Sequence, residues 1–282
     1  MKLINNSLSP LPFYTHLGDQ NHRKEYAYGQ VYSLICPIAS ILPFQAILDT
    51  KNAKIHKVKL YDFNTGENTD ITQSMINGGL ETKHYKDFTV VKYPSLLLVQ
   101  ELKFEGRYYI VLQFENLETI YSDVFTCVRI LSDRLRLEYS NPYNFTIKDG
   151  IIDFSDNFTF WCYINSQIGK PEYVFEEEAS ERMGYSFIES QVSKKVYRFT
   201  FIAPEYLCDA LRVVRMCQTK RITVNGRIYD LTTFNMDVDW QEQGDLAAVS
   251  CEFETDTVLA NIGGYTPEVG SFNDDFNNDF AI

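Results

Sequence analysis

The feature that most limits how this chain can fold is a succession of short runs rich in β-branched and aromatic residues. Turn residues separate the runs, and FTFWCYI (158–164) shows the period-2 alternation of a β-strand. The other predicted strand runs are YGQVYSLICP (28–37), ILPFQAIL (41–48), IHKVKLYDF (55–63), FTVVKYPSLLLVQELKF (88–104), GRYYIVLQF (106–114), TIYSDVFTCVRI (119–130) and VYRFTFIA (196–203). Runs of this kind, with no helical period between them, predict a mainly β protein of the sandwich type.

We predict two β-sandwich-like domains, the second with one packed α-helix. The predicted divisions are an extended N-terminal arm (1–26), a first sandwich (27–130), a crossover or linker (131–150), a second sandwich (151–262) and an acidic tail (263–282). The linker is placed at LSDRLRLEYSNPYNFTIKDG because SNPYN has turn chemistry, although LRLEY has the pattern of a strand. A chain of 282 residues is long enough for two domains or for one large β domain.

One segment, at about residues 204–217, has a clear helical period. Pro204 suits the first helical turn, and Glu205 suits its positive end. The apolar residues with helical spacing are Leu207, Ala210, Leu211, Val214 and Cys217. Downstream, Asn225-Gly226 in RITVNGRIYDL predicts a type I′ hairpin, and FNMDVDW and AAVSCEFET are predicted to be the closing strands.

The charge is distributed unevenly along the chain. Residues 228–282 contain no Lys or Arg and carry the whole net charge of −12. Such a surface repels nucleic-acid phosphates and anionic lipid, so we predict no nucleic-acid partner. It favours a basic protein surface or serves solubility, and both interpretations stay open. No apolar run reaches about 18 residues, and no apolar signal core follows the start, so neither membrane insertion nor a secretion signal is predicted.

The residues that usually carry catalysis or bind metals do not form recognisable motifs. The six cysteines include no C-x-x-C pair and are interpreted as small buried hydrophobes in a reducing compartment: Cys36, Cys127, Cys162, Cys208, Cys217 and Cys251. The four histidines, His16, His22, His56 and His84, lack ligand spacing. Phosphate-loop, dinucleotide and nucleophile-elbow motifs are missing. We therefore predict no catalytic residue, no metal site and no cofactor.

Three other features are weaker candidates for a site. Glu176–Glu178 suggests a glycosidase carboxylate pair, but the surface of a loop or short helix is favoured because adjacent carboxylates point in different directions. Asp237 and Asp239 share one face of a strand, and a solvent face is favoured over calcium because calcium needs about six or more oxygens. Sugar stacking on Trp161 is a further alternative, which keeps a glycan partner open.

The stretch SFNDDFNNDFAI (271–282) repeats phenylalanine at every fourth position, as Phe272, Phe276 and Phe280. Burying three Phe side chains contributes ~5–9 kcal/mol. Ordering about eleven residues costs roughly 1–2 kcal/mol each, so the segment cannot hold a partner alone. We predict that these three residues bind a partner as an anchor that adds to a contact between folded domains. The alternatives are docking on the chain's own domain or a solvated end.

Three stretches of this sequence resemble a known family. They are GRYYIVLQFENLETIYSDVFTCV (106–128), IGKPEYVFEEEASERMGYSFIESQVSKKVYRFTFIAPEYLCDALRVVRM (168–216) and WQEQGDLAAVSCEFETDTV (240–258). They are similar to proteins encoded in the structural-gene modules of phages and prophages of gut Bacteroidetes. An aromatic or apolar residue is usual in that family where this chain has Cys127.

The resemblance implies a non-enzymatic virion component of the tail or baseplate, made in the host cytoplasm. It would assemble with other virion subunits and with itself, and no catalytic residue carries over. The hypothesis from another class is a carbohydrate-binding or adhesion module for a bacterial surface glycan. A glycan-cleaving enzyme with an unrecognised carboxylate pair is a third hypothesis.

Overall fold

The structure is a computed structural model that describes residues 2–4, 8–17, 32–116, 118–182, 184–240 and 245–261. The fold is mainly β, as predicted, with several sheets. The strands are β1 (Leu3–Ile4), β2 (Phe13–Tyr14), β3 (Leu34–Pro37), β4 (Phe44–Leu48), β5 (Ile55–Asp62), β6 (Asn68–Asp70), β7 (Glu81–His84), β8 (Thr89–Tyr93), β9 (Gly106–Phe114), β10 (Thr119–Ser122), β11 (Phe125–Val128), β12 (Leu135–Ser140), β13 (Phe145–Ile147), β14 (Gly150–Ile152), β15 (Phe160–Ile164), β16 (Glu172–Arg182), β17 (Tyr185–Pro204), β18 (Thr219–Val224), β19 (Arg227–Asp230), β20 (Thr233–Trp240) and β21 (Leu246–Asn261).

These strands form one large sheet and three smaller ones. The large sheet has 11 strands in the order β19-β18-β12-β15-β3-β11-β9-β10-β2, with β5 added on β9 and β6 on β5. Two four-stranded sheets have the orders β1-β4-β8-β7 and β16-β17-β21-β20, and β13 pairs with β14. Most neighbouring strands are antiparallel, whereas β3 and β11 are parallel.

The segment 131–150, predicted as a linker, instead contributes a strand to the interior of the large sheet. Its strand β12 pairs with β15 on one side and with β18 on the other. Along β12, buried Leu135, Leu137 and Tyr139 alternate with half-buried residues, so the strand pattern of LRLEY outweighs the turn chemistry that follows it. Since β15 in turn pairs with β3, this sheet joins strands from both predicted domains.

The predicted N-terminal arm also needs correction within its described part. β1 pairs with β4 and β2 pairs with β10, so this segment completes two sheets. Leu8, Leu11 and Phe13 are almost fully buried in the core. These three apolar side chains explain why the segment packs on the body although it is polar on average.

The predicted helix is present as α2 (Glu205–Arg212), followed by a 3-10 turn at Val214–Met216. Pro204 lies at its N-cap, and all five residues of the predicted apolar stripe are buried. A second helix, α1 (Thr72–Asn77), was not predicted because its six residues are too few to show a helical period.

One turn prediction and one strand prediction had different outcomes. Asn225 and Gly226 both have positive φ, at 48° and 75°, and join β18 to β19 as expected for a type I′ hairpin. The run 88–104 was predicted as one strand, but β8 ends at Tyr93. Pro94 and the positive φ of Ser95, 60°, break the extended backbone there, and a loop follows.

Buried hydrophobic residues from the first and last parts of the chain form one continuous core cluster. Between the large sheet and the β16-β17-β21-β20 sheet, Tyr197 packs against Tyr229 at 5.1 Å and stacks on Phe253 at 5.4 Å, between ring centroids. The described residues include no helix long and apolar enough to cross a membrane.

The six cysteines are free and buried, as interpreted from the sequence. Burial raises the pKa of Cys162 and of Cys217 to about 12, and that of Cys208 to about 11. Because the thiolate is the reactive form, buried thiols with raised pKa values are inert.

We expect the native protein to react slowly with a chromogenic disulfide reagent at neutral pH, and all six thiols to react after unfolding in denaturant. The release of the reagent's coloured thiolate, followed over time under both conditions, checks this. Rapid release of one or more equivalents from the native chain would contradict the buried, protonated state.

Candidate interaction surface

Three strands extend past the end of β20 and form a ribbon. We define the ribbon as β16, residues 185–196 of β17 and residues 254–261 of β21. The pairing of β21 with β20 ends at Glu254, which lies opposite Thr233. The pairing of β17 with β16 begins at Val196, which lies opposite Glu172. At about 3.3 Å per residue, the eleven residues of β16 span roughly 35 Å.

The strand β16 is exposed on both of its faces. On the odd-numbered face, the exposed fractions are 58% for Tyr173 and 72% for Phe175. On the other face, Glu172, Glu176 and Glu178 are exposed. A strand at the surface of a sandwich normally buries one of its faces. Because residues on both faces of β16 are exposed, the other described residues do not cover it. These exposed apolar side chains make the odd-numbered face of β16 the candidate interaction surface.

Polar cross-strand contacts hold the register of the ribbon. Lys194 Nζ lies 2.9 Å from Glu176 Oε1, and Gln191 Nε2 donates to Glu177 Oε1 at 2.7 Å. Nearer the body, Arg198 pairs with Glu172 at 2.8 Å and with Glu252 at 2.7 Å. The hydrogen bond from Lys194 to Glu176 raises the pKa of Lys194. The ribbon is therefore a defined sheet with an acidic edge.

The base of the ribbon joins the core at the point along β17 where the side chains change from half-buried to buried. The side chains of residues 190–195 are half-buried, whereas those of Val196, Tyr197 and Phe199 are buried. Register shifts at Glu178/Ala179 and at Ser193/Lys195 interrupt the ladder within the ribbon. Such bulges bend a strand and increase its local twist, which sets the direction of the ribbon relative to the body.

The glutamate run was predicted to lie on a loop or short helix, and it lies on β16 instead. Glu176 and Glu178 share one face, Glu177 lies on the other, and each contacts a side chain of β17: Lys194, Ser190 and Gln191, respectively. Carboxylates held by such partners do not form a pair aimed at one substrate bond. The glycosidase interpretation gains no support here.

A second group of polar residues forms a partly buried network that bears on the non-catalytic prediction. Ser155 Oγ accepts hydrogen bonds from Lys83 and Lys92, which resembles a serine–lysine pair. A lysine base must be neutral to take a proton. Burial acts to lower the pKa of Lys92, but Glu81 and Asp156 raise it overall. Lys92 is therefore held as a cation and cannot activate Ser155.

The network joins distant parts of the chain. Asp153, whose side chain is fully buried, lies 3.1 Å from Lys83 Nζ and accepts a hydrogen bond from Tyr85 at 3.0 Å. Gln45 Nε2 donates to the Asp153 carbonyl at 2.6 Å, and the Asp153 N–H donates to Gln45 Oε1 at 2.9 Å. These contacts fasten the segment after β14 to β4, β7 and β8, so the network has a structural role.

Asp237 and Asp239 are both exposed on the outer face of β20, in agreement with the solvent-face interpretation. They border a cleft of about 950 Å³ that Tyr32, Phe201 and Leu246 also line. Among the described residues, no group of three or more His, Cys, Asp or Glu side chains is placed to hold a metal ion.

Trp161 is only 9% exposed, and the Arg136 guanidinium lies 4.9 Å from its ring centroid. This cation–π contact covers the indole, so stacking of a sugar on Trp161 gains no support.

The predicted partner-binding residues Phe272, Phe276 and Phe280 lie outside the described residues, and their anchor role stays a prediction. Sequence reasoning missed Tyr173 and Phe175. A signal for them is present in EYVF (172–175), where the aromatic residues stand at every second position, as in a strand. The strand runs on towards a turn at Gly184.

Comparisons with known proteins place no further constraint on function. No protein-family model matches the chain, and no curated protein matches it significantly. Among solved structures, the chain is similar to one in the crystal structure of Dpr2 Ig1-Ig2 in complex with DIP-Theta Ig1-Ig3, with 8% sequence identity and a TM-score of 0.17. That similarity covers 82% of this chain and 92% of the other, and a TM-score this low carries no argument.

Proposed function

We propose that this chain is a non-enzymatic structural protein of a phage virion, a tail or baseplate component that acts through subunit interfaces. The observation that carries the proposal is the ribbon, because an eleven-residue strand with both faces exposed has no role in the core of its own subunit. The resemblance of residues 168–216 to phage structural-module proteins covers this same part of the chain.

Other features of the chain are compatible with the proposal. Buried free thiols suit assembly in a reducing cytoplasm, and the polar network is arranged for rigidity rather than for proton transfer. Subunit contacts in such particles bury apolar side chains at their centres, and Tyr173 and Phe175 are of the residue types that dominate such contacts. Virion localisation and the other virion subunits as partners are part of this proposal.

The proposal predicts that the purified chain forms a discrete oligomer and that Phe175→Ser weakens it. Removal of one exposed aromatic anchor from the centre of an interface typically costs more than about 1 kcal/mol, which is on the order of a tenfold loss of affinity. Light scattering over a range of protein concentrations measures the mass. Tyr143→Ser is the control, because Tyr143 is 77% exposed and lies outside the ribbon.

A monomer at every concentration would contradict self-assembly of this chain. If Phe175→Ser and Tyr143→Ser weaken the oligomer equally, the loss of any exposed aromatic residue has this effect. The ribbon would then have no specific role in assembly.

A further inference from the structure

Two of the six cysteines lie directly opposite each other in neighbouring strands. In the ladder between the parallel strands β3 and β11, Cys36 is the register partner of Cys127, and the pairs before and after it keep the same register. Side chains of residues paired in this way point to the same face of the sheet. Both side chains are 0% exposed. The two thiols therefore lie side by side in the core.

The spacing of these strands suits a disulfide bond. Neighbouring strands of a sheet lie about 4.7–4.9 Å apart, and a disulfide joins residues whose Cα atoms are roughly 4.4–6.8 Å apart. The Cys127 thiol is in hydrogen-bond contact with that of Cys36. The two sulfur atoms are thus already neighbours, and a bond between them requires no change of strand pairing.

A hydrogen bond to the backbone holds the Cys36 side chain in place. Its thiol donates to the Ser40 carbonyl at 2.9 Å, just after the end of β3. The Cys36 sulfur is then able to accept a hydrogen bond from the Cys127 thiol. Burial and this contact with Cys127 raise the pKa of the Cys36 thiol well above its usual range. Cys36 is therefore protonated and unreactive once the chain has folded at neutral pH.

The other four cysteines have no comparable partner among the described residues. Cys162 of β15 lies opposite Leu137, and Cys251 of β21 lies opposite Phe199 and Met236. The remaining two lie in α2 and directly after the 3-10 turn that follows it, outside the strand ladders. Strand register therefore selects one pair of the six.

The pair lies where the large sheet joins the two halves of the chain. In strand order, β3 lies between β15 and β11. Its ladder to β15 consists of Ile35 opposite Tyr163, whereas its ladder to β11 runs the whole length of β3. Cys36 and Cys127 are far apart in the sequence, so a bond between them closes a long loop in the unfolded chain. Closing such a loop stabilises the folded state.

We propose that Cys36 and Cys127 form a disulfide bond when the chain folds in the presence of a small disulfide oxidant, and that they stay as thiols in a reducing compartment. The bond would fasten β3 to β11 in the middle of the large sheet. This inference is independent of the proposed function and adds a site of covalent modification to the molecule.

The reaction is thiol–disulfide exchange with an oxidant such as oxidised glutathione. The thiolate of one cysteine attacks the disulfide of the oxidant, whose S–S bond breaks and releases one thiol. The thiolate of the other cysteine then attacks the protein sulfur of this mixed disulfide and releases the second thiol. The two cysteine protons end on the two released thiols, and two electrons pass from the pair to the oxidant. Because both side chains are buried in the folded chain, the exchange takes place before β3 and β11 pack.

The test refolds the reduced, full-length chain from denaturant in a glutathione redox buffer. The remaining thiols are alkylated, and the peptides are mapped by mass spectrometry without reduction. We expect one cross-linked pair of peptides, which carries Cys36 and Cys127 and has a mass about 2 Da below the sum of the two thiol peptides, because two hydrogen atoms are lost. The cross-linked chain should unfold at a temperature about 5–15 °C above that of the reduced chain.

Two variants give a matched comparison, Cys127→Ala and Cys162→Ala. Each removes one fully buried thiol from a strand next to β3 in the same sheet. Cys127→Ala should lose the cross-link and unfold at the same temperature with and without the oxidant. Cys162→Ala should keep both the cross-link and the rise in unfolding temperature.

Two results would overturn the inference. One is alkylation of all six cysteines in the unmodified chain after refolding with the oxidant, and the other is a link from Cys36 to Cys162 or to any other cysteine. A Cys36–Cys127 link that leaves the unfolding temperature unchanged would overturn its stabilising role. The peptide map needs only the unmodified chain, so it decides the pairing even where a variant fails to fold. Because the map does not depend on oligomer mass, a failure of the proposed self-assembly leaves its result unchanged.

Discussion

Replacing residues 173–195 by Asn-Gly is expected to give a folded protein that no longer assembles. Glu172 and Val196 lie directly opposite each other, so a two-residue type I′ turn can join them without changing the register below. The chain already contains such a turn at Asn225-Gly226. None of the deleted residues whose side chains the structure describes is buried, and the aromatic packing of Tyr197 and Phe253 at the base remains.

The expected measurements are a monomeric mass by light scattering and a cooperative thermal transition near that of the unmodified chain. A useful comparison is the unmodified chain at high dilution, which should likewise have the mass of its own monomer. An oligomer of unchanged size would show that assembly proceeds without the ribbon. A shortened chain that fails to fold would show that the ribbon supports its own core, and Phe175→Ser would then carry the test.

Asp153→Ala is expected to lower the free energy of unfolding by about 1–3 kcal/mol, the usual cost of leaving the polar partners of a buried group unsatisfied. The side chain of Asp153 is fully buried, and its loss leaves Tyr85 without its carboxylate partner and Lys83 with only the longer carboxylate contact, to Asp156 at 3.8 Å. Denaturant unfolding followed by circular dichroism measures the change. Asp156→Asn is the control, because the Asp156 side chain is 73% exposed and asparagine accepts the positive φ of 61° at this position, so its effect should be smaller.

The same residue predicts how stability depends on pH. Burial would raise the pKa of Asp153, but hydrogen bonds from Ser155 and Lys83 and the charge of Lys92 lower it to about 2. A carboxyl whose pKa is lower in the folded state binds more protons when unfolded, so its stabilisation is present above pH 4 or so and is lost as the pH falls to about 2. The Asp153→Ala variant should show a shallower loss of stability over that range, and equal slopes would contradict the assignment.

The sequence was a good guide where a residue's environment follows from local pattern. The buried stripe of α2, the Asn225-Gly226 hairpin and the alternation in β15 all follow from spacing or from turn chemistry. It was a poor guide where long-range contacts decide. Asp153 and Gln45 are 108 residues apart, and no local signal indicates that they share hydrogen bonds.

The ribbon and the loop after β8 were misread for opposite reasons. In β16, glutamates on both faces hide the apolar alternation that normally identifies a strand, because neither face is buried within the subunit. In the loop after β8, three leucines imitate a buried strand although they are exposed. Both exceptions have the same physical origin, since the usual link between an apolar pattern and the subunit's own core fails where apolar side chains stay exposed.

Hydrogen–deuterium exchange of β16, measured for the assembled chain and for the same chain diluted to monomers, tests the central claim most directly. β16 lies at the edge of its sheet and pairs with β17 on one side. Amides that point away from β17 should therefore exchange quickly in the monomer. The account predicts that assembly slows exchange in β16 and in residues 185–196 of β17. Unchanged exchange there, with protection appearing elsewhere in the assembled chain, would contradict it.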